Sequence, residues 1–146
     1  MDLNQRNSAE NWEKLEKNCR DRWMLQGYVV NSGSHISTTA NVSLSYNDDG
    51  IENVAFGIGP IEAAFHAIEN IVQTGAQLLS YQIRSMSRGM DAQGQVDVEL
   101  EWQGQTVLGR GTSADIIEAS IKAYLDGVNQ IVKMDGYQWK EEEIDE

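Results

Sequence analysis

The residues of this chain that could do chemistry are few and scattered. Its histidines, His35 and His66, lie in a Ser/Gly-rich loop and beside Phe65 in an apolar helical stretch. Neither belongs to a His-x-His or His-Glu-x-x-His pattern, which would bring two imidazoles to one metal. Cys19 sits in a charged segment with no local signature of an activated thiol. Gly-x-Ser-x-Gly is absent. Ser32-Gly33-Ser34 and Thr112-Ser113 read as turn and cap residues, and Asp115 reads equally as the cap of a helix. Carboxylates fall on alternating strand positions (Asp97, Glu99, Glu101) or on helix surfaces (Glu62, Glu69, Glu118), the pattern of solvated faces. No catalytic residue, metal-ligand set or cofactor motif assembles from these parts.

The sequence does offer backbone and small residues. Gly57-Ile58-Gly59-Pro60 and Gly109-Arg110-Gly111 both read as strand-to-helix junctions with two glycines. Such a turn lets a ligand approach the backbone, and a helix start presents unpaired N–H groups and partial positive charge that suit a carboxylate. The same glycines also serve a tight turn with positive φ and no ligand, and spacing alone leaves both readings open. Gly109 to Ala114 fits the loose dinucleotide pattern Gly-x-Gly-x-x-Gly/Ala. That fold, however, needs a further parallel strand and an acidic residue about 20 positions on, whereas the helix here runs into an acidic tail.

Around these junctions the elements repeat. Trp23 to Val30 is aromatic and β-branched, a strand. Val42, Leu44 and Tyr46 alternate with polar residues, Asn47-Asp48-Asp49-Gly50 signals a turn ending in a left-handed-tolerant glycine, and Ile51 to Phe56 returns. Pro60 suits the first position of a helix whose apolar face is Ile61, Ala64, Phe65, Ile68, Ile71 and Val72, with Gly75 as its stop. The order then recurs. Leu78 to Ser87 is a strand broken at Arg88-Gly89, and Val96, Val98, Leu100 and Trp102 alternate. Gln103-Gly104 turns, Gln105 to Leu108 returns, and Ile117, Ile121, Tyr124, Val128 and Ile131 line a second helix. IEAAFHAI from Ile61 resembles IEASIKAY from Ile117, with three extra residues expected between glycine junction and helix in the second copy. The fold expected is α+β: duplicated β-β-β-α units related by a pseudo-two-fold, helices packed on antiparallel sheets. The domain would span 22–134, with repeats at about 22–75 and 76–134. A charged helical arm (1–21), with Trp12, Leu15 and Cys19 as a contact stripe, precedes it, and an acidic tail (135–146) follows.

The totals agree with a small folded module. The 146 residues are 40% apolar, enough for one core. The net charge of -12, from 23 acidic and 11 basic residues, argues against nucleic acid and anionic membrane surfaces as partners. One cysteine excludes an intrachain disulfide, and there is neither a signal-type N-terminus nor an apolar run of membrane-spanning length. A cytoplasmic protein is expected.

Three segments carry a resemblance: GIGPIEAAFHAIENI from Gly57, LLSYQIRSMSRGMDAQGQVDVELEW from Leu78, and GRGTSADIIEASIKAYLDGVNQI from Gly109. Together with WMLQGYVVNSG from Trp23, they resemble the C-terminal regulatory (allosteric and dimerisation) domain of 2-isopropylmalate synthase, also found in citramalate synthase. The resemblance covers Trp23 to Val132, three quarters of the chain. It implies a homodimer and a branched-chain amino acid effector, leucine or isoleucine, bound near the lobe and chain interface. By the same resemblance the effector contacts would be Gly57, Ile58, Gly59, Pro60 and Ile61 at the first junction, Tyr81 and Ser85 on the strand opening the second repeat, Gly94, and Thr112, Ser113 and Ala114 at the second junction. Tyr81 and Ile61 would wall the aliphatic side chain. Family members often carry Asn where Ile58 stands, so a polar side chain that could meet the ligand is missing. The synthase barrel of about 250 residues is absent too, so the chain is expected to be either a stand-alone regulator, with a separate catalytic synthase subunit as a further partner, or a fragment of a longer synthase.

Overall fold

The computed structural model describes residues 21–85 and 93–139. The N-terminal arm with its Trp12, Leu15 and Cys19 stripe, the Arg88-Gly89 break and the acidic run from Lys140 lie outside them. The described chain forms strands β1 (Trp23–Asn31), β2 (Thr38–Tyr46) and β3 (Asp49–Gly57), then helix α1 (Pro60–Val72). Strands β4 (Gln77–Ser85), β5 (Gly94–Trp102) and β6 (Gln105–Ser113) and helix α2 (Ile116–Val132) follow. Each trio is an antiparallel meander, β1-β2-β3 and β4-β5-β6. This is the duplicated β-β-β-α architecture expected.

The duplication is closer than the sequence suggested. Thr38 and Gly94 open the middle strands and Pro60 and Ile116 open the helices, so from β2 to the helix every residue has its counterpart 56 positions on, with no insertion. Both leading strands also bulge at the same place, at Gln26 between Leu25 and Gly27, and at Leu79 between Leu78 and Ser80. The two hairpins turn through Asn47-Asp48 and Gln103-Gly104, four residues with positive φ, as two-residue turns between twisted strands demand. Gly50, expected in the turn, instead pairs with Ser45 inside β3. Helix α1 ends earlier than expected, at Gln73 in the left-handed conformation, two residues before Gly75.

Each helix lies on its own sheet and is touched from its other side by the first strand of the opposite repeat. Phe65 of α1 meets Tyr81 of β4 edge-on at 6.0 Å. On the other side, Asn129 of α2 accepts from the Trp23 backbone N–H at 2.7 Å and donates to its carbonyl at 3.0 Å. The helices therefore form a layer between two sheets, and one core runs through it. The inward rows Ala40–Val42–Leu44 and Val96–Val98–Leu100 are fully buried beneath Ile68, Val72, Ile121 and Val128. Trp23 stacks on Tyr46 at 4.5 Å and is met edge-on by Trp139, whose indole N–H donates to the Ile71 carbonyl. Among the described residues no helix is long and apolar enough to cross a membrane.

Candidate functional site

The glycines at 109 and 111 do not form a turn. They lie inside β6, on its inner face, and α2 rests directly on them. A Cβ on Gly109 would fall 2.1 Å from the Ala123 carbonyl oxygen, and one on Gly111 2.4 Å from that of Ala119. Their role is close backbone packing. The extra residues expected after them do not exist as an insertion: Thr112 and Ser113 finish this strand, and Ala114 and Asp115 lead into the helix. The second strand-to-helix junction is Ser113-Ala114-Asp115, with no glycine, and Thr112 belongs to the strand.

The two true junctions differ in one chemical respect. At α2 the N-cap Asp115 accepts the Ile117 N–H through Oδ1 at 2.9 Å, and its other oxygen accepts the Tyr28 hydroxyl from β1 of the opposite repeat. The Tyr28 hydrogen bond, then the backbone amides, hold the Asp115 carboxyl below its ordinary pKa. The same bond pushes the Tyr28 hydroxyl up to about 12. At α1 the N-cap is Gly59, which has no side chain to cap with. Pro60 brings no N–H at the first helical position. A Cβ on Gly59 would meet nothing within 4 Å, whereas one on Gly57 would fall 2.3 Å from the Ala63 amide nitrogen. Gly57 is therefore needed for packing and Gly59 is not. One donor at this end is already used: the Ile58 N–H is taken by Glu62 Oε1 at 3.2 Å. The Ile58 side chain is 91% exposed.

Below this uncapped helix start runs a groove of about 480 Å³ between α1 and β4. Ile61, Phe65, Leu78 and Tyr81 line it with apolar surface, and Glu62 and Glu69 with carboxylates. Tyr81 is fixed in its wall. Ser120 spends its hydroxyl proton on the Ile116 carbonyl at 2.8 Å, so the Tyr81 hydroxyl is the donor in the 3.0 Å contact between them. Glu69 is held by Thr74, by the Gly75 N–H at 2.6 Å and by the Tyr124 hydroxyl at 3.1 Å. Burial, then the Glu69 charge, raises the Tyr124 pKa. Among the expected contacts the structure thus brings Ile61 and Tyr81 together in one groove. Gly94 and Ser113 meet elsewhere, in the terminal row Ser85–Gly94–Ser113 of the second sheet, where the bare Gly94 makes room for Ile116. Phe65, Glu69 and Leu78 were missed as groove residues. The first had been read as plain helix core, and the groove exists only once α1 meets the opposite strand.

The counterpart groove, between α2 and β1, is larger, about 620 Å³, but of another character. Arg22, Arg110, Lys122, Lys133 and Asp126 line it, and Tyr28 and Asp115 join its two walls. No group of three or more His, Cys, Asp or Glu residues is placed to hold a metal among the described residues.

This geometry defines a class: a paired β-β-β-α module with a groove between each helix and the leading strand of the opposite repeat. Residues 10–132 match the LeuA allosteric (dimerisation) domain, and the chain belongs to that family. It is 44% identical over 112 residues to a 2-isopropylmalate synthase of Heliobacterium modesticaldum, covering 77% of this chain and 22% of that protein. A 2-isopropylmalate synthase of Ruminiclostridium cellulolyticum is 36% identical over 110 residues, 75% of this chain and 22% of its own length. One of Rhodopirellula baltica is 39% identical over 123 residues, 82% and 23%. The chain spans between a fifth and a quarter of the length of these relatives.

Proposed function

We propose that this chain is the effector-binding and dimerisation module of a 2-isopropylmalate synthase-type enzyme. It would sense a branched-chain amino acid, leucine ahead of isoleucine, for feedback control of leucine biosynthesis in the cytoplasm. The observation that carries the reading is the groove under the uncapped start of α1, set against the capped start of α2. At α2 a carboxylate, that of Asp115, satisfies the first turn of the helix. At α1 the corresponding backbone donors, at Ile61 and Glu62, have no side-chain cap. A free amino acid supplies what is missing. Its carboxylate takes the position Asp115 takes in the other repeat, its ammonium faces Glu62 and Glu69, and its aliphatic chain lies against Ile61, Phe65 and Tyr81. The volume, about 480 Å³, is at the small end of ligand pockets. One effector binds per chain, because the second junction carries its own carboxylate.

Self-association follows from the same side of the molecule. Leu78 and Ile83 are 44% and 52% exposed although both point toward the helix layer. A second copy laid against this side covers them and closes the groove, so that binding and pairing are linked. An effector shifts the assembly only through unequal affinity for its two arrangements. The catalytic work belongs to a separate part or subunit, and the isolated chain is expected to give no turnover with acetyl-CoA and 2-oxoisovalerate. Titration calorimetry with leucine, isoleucine and valine tests the reading. Heat with at least one of them, lost in Tyr81→Ala and in Gly59→Asp, supports it. No heat and no thermal shift at millimolar concentration refutes sensing and leaves a dimerisation scaffold.

A further inference from the structure

The groove between α2 and β1 gathers almost all the positive charge of the described residues. Of their five lysines and arginines, Arg22, Arg110, Lys122 and Lys133 line it, and only Arg84 stands elsewhere. All four are exposed, in a chain whose net charge is -12. They fall into two pairs. The Trp23 N–H is held by Asn129 at 2.7 Å, which sets the preceding Arg22 at the C-terminal end of α2, where Lys133 follows. The Arg110 N–H donates to Asp126 at 3.0 Å, which sets Arg110 one turn from Lys122. Positions 122, 126, 129 and 133 share one face of α2, and the helix rises about 16 Å from Lys122 to Lys133. The Arg22 and Lys133 side chains have no hydrogen bond or ion pair among the described residues. Arg110 and Lys122 are held only by surface pairs, with Asp97 at 3.0 Å and Glu118 at 3.3 Å, and such pairs are individually weak. The acids of the groove are already engaged, Asp126 by the Arg110 backbone and Asp21 by the Asn47 side-chain amide at 3.1 Å. Cations at both ends of a long groove suit a run of spaced carboxylates better than one small anion.

We propose that this groove takes an extended acidic segment, and that its occupant is the chain's own acidic run from Lys140 to Glu146. That run carries five carboxylates, Glu141, Glu142, Glu143, Asp145 and Glu146, against one lysine. It also starts beside the groove. Trp139 meets Trp23 edge-on at 4.9 Å, and the Tyr137 hydroxyl accepts the Trp23 indole N–H at 3.2 Å. Trp23 lines the groove at its Arg22 end. Seven extended residues reach about 23 Å, beyond the ~16 Å between Lys133 and Lys122. Glu141, Glu143 and Asp145 fall on one side of an extended chain, about 13 Å from first to last. That matches the two cation pairs, which lie about 10–16 Å apart along α2. A short tether holds such a segment at an effective concentration of about millimolar, so several weak pairs suffice to seat it. The residues before Asp21 also adjoin the groove, but they carry four acidic and four basic side chains and offer no charge match. The seated run bridges α2 and β1 and so braces the joint between the repeats. This is independent of what fills the groove between α1 and β4.

Paramagnetic broadening in the full chain tests this. A nitroxide on Ile144→Cys, in a Cys19→Ser background, is expected to broaden the amides of Lys122, Asp126 and Gln130 most, and those of Leu78 and Tyr81 least. In 1 M salt, where the Debye length is about 3 Å, the broadening disappears. The pair Arg22→Glu and Lys133→Glu, both at exposed positions, also removes it. In that variant a glutamate-specific protease cuts after Glu141 to Glu143 about tenfold faster, the effect of losing two or more surface pairs. Adding Glu141→Lys and Glu143→Lys to it restores the broadening, and Arg84→Glu alone leaves the broadening unchanged. Circular dichroism confirms that each variant is folded. Broadening that is absent from the parent at low salt, or unaltered in Arg22→Glu with Lys133→Glu, overturns the inference. So does broadening passed from a spin-labelled chain to an isotope-labelled one mixed with it, which would place the acidic run in the groove of another copy.

Discussion

Replacing Gly109 with Ala separates the packing role of the second glycine pair from the ligand role its sequence suggested. The added Cβ would lie 2.1 Å from the Ala123 carbonyl oxygen and 2.7 Å from the Gly127 amide nitrogen. Both obstacles are helix backbone, so no side chain can rotate away. To reach an ordinary contact of 3.4 Å, α2 must retreat by about 1.3 Å from the strand. That loosens the fully buried Val98, Leu100, Ile121 and Val128. Overpacking of this kind costs about 1–3 kcal/mol, and an unyielding neighbour puts it at the upper end. Against this stands a gain of about 0.4–1 kcal/mol, because Ala restricts the unfolded chain. The net expectation is a loss of about 2 kcal/mol, or a fall of about 6 °C in melting temperature at this chain length. Gly50→Ala is the control. Its Cβ meets nothing within 4 Å, so only the unfolded-state gain remains and stability is unchanged or slightly raised. Parallel urea and thermal melts followed by circular dichroism decide the matter. If Gly109→Ala lies within about 0.5 kcal/mol of Gly50→Ala, α2 does not rest on β6 as described and the packing argument fails.

Two further outcomes can be checked with the same melts. Asp115→Gly removes the α2 cap and the acceptor of Tyr28, with an expected cost of about 1 kcal/mol; acetate at high concentration should recover part of it where equal chloride does not, because a carboxylate is what that helix start lacks. In alkali, the Tyr28 and Tyr137 hydroxyls have folded-state pKa values pushed up to about 12, and that of Tyr124 is raised as well. The fold thus favours their protonated forms, and this contribution is complete below the unfolded value near 10 and lost as pH rises toward 12. A urea midpoint that is flat from pH 7 to about 9.5 and then falls is expected, with a shallower fall in Tyr28→Phe. In acid the sign reverses. Asp97 and Asp115 are held below 3.8, so their contribution is present above that value and is lost as pH drops through the lower folded values.

Periodicity made the strands and helices legible, because alternation and helical spacing reflect burial directly. Val42, Leu44, Val96, Val98 and Leu100 are all buried as their alternation required, and Pro60 stands at the helix start. The hairpin at Gln103-Gly104 was readable for the same local reason. Glycine was where reading failed. Gly57, Gly59, Gly109 and Gly111 look alike in sequence, yet three are bare because a helix backbone lies against them and one faces open space. Nothing local separates these cases, since the obstacle at Gly109 comes from residues 14 and 18 positions away. The groove was half legible: Ile61 and Tyr81 were paired in advance by the family resemblance. Glu69 and Leu78 enter only through the contact between α1 and the opposite repeat.

The duplication leaves one helix start bare and its copy capped and joined to the opposite repeat. Helix α2 is seated on Gly109 and Gly111, while the corresponding positions under α1 are Asn53 and Ala55. Asn53 is engaged by Asn70 of α1 at 3.0 Å. On one side the leading strand reaches its helix, with Asn129 bonded to the Trp23 backbone and Tyr28 to Asp115. On the other, Tyr81 turns inward to Ser120 and a gap remains beside Ile61 and Phe65. A pseudo-symmetric pair with one self-satisfied and one unsatisfied helix start has an arrangement in which a small carboxylate would restore the symmetry. Changing that symmetry alters how β4 meets α1. The exposed Leu78 and Ile83 lie on that same strand, so the surface proposed for pairing is the one a guest in the groove must move.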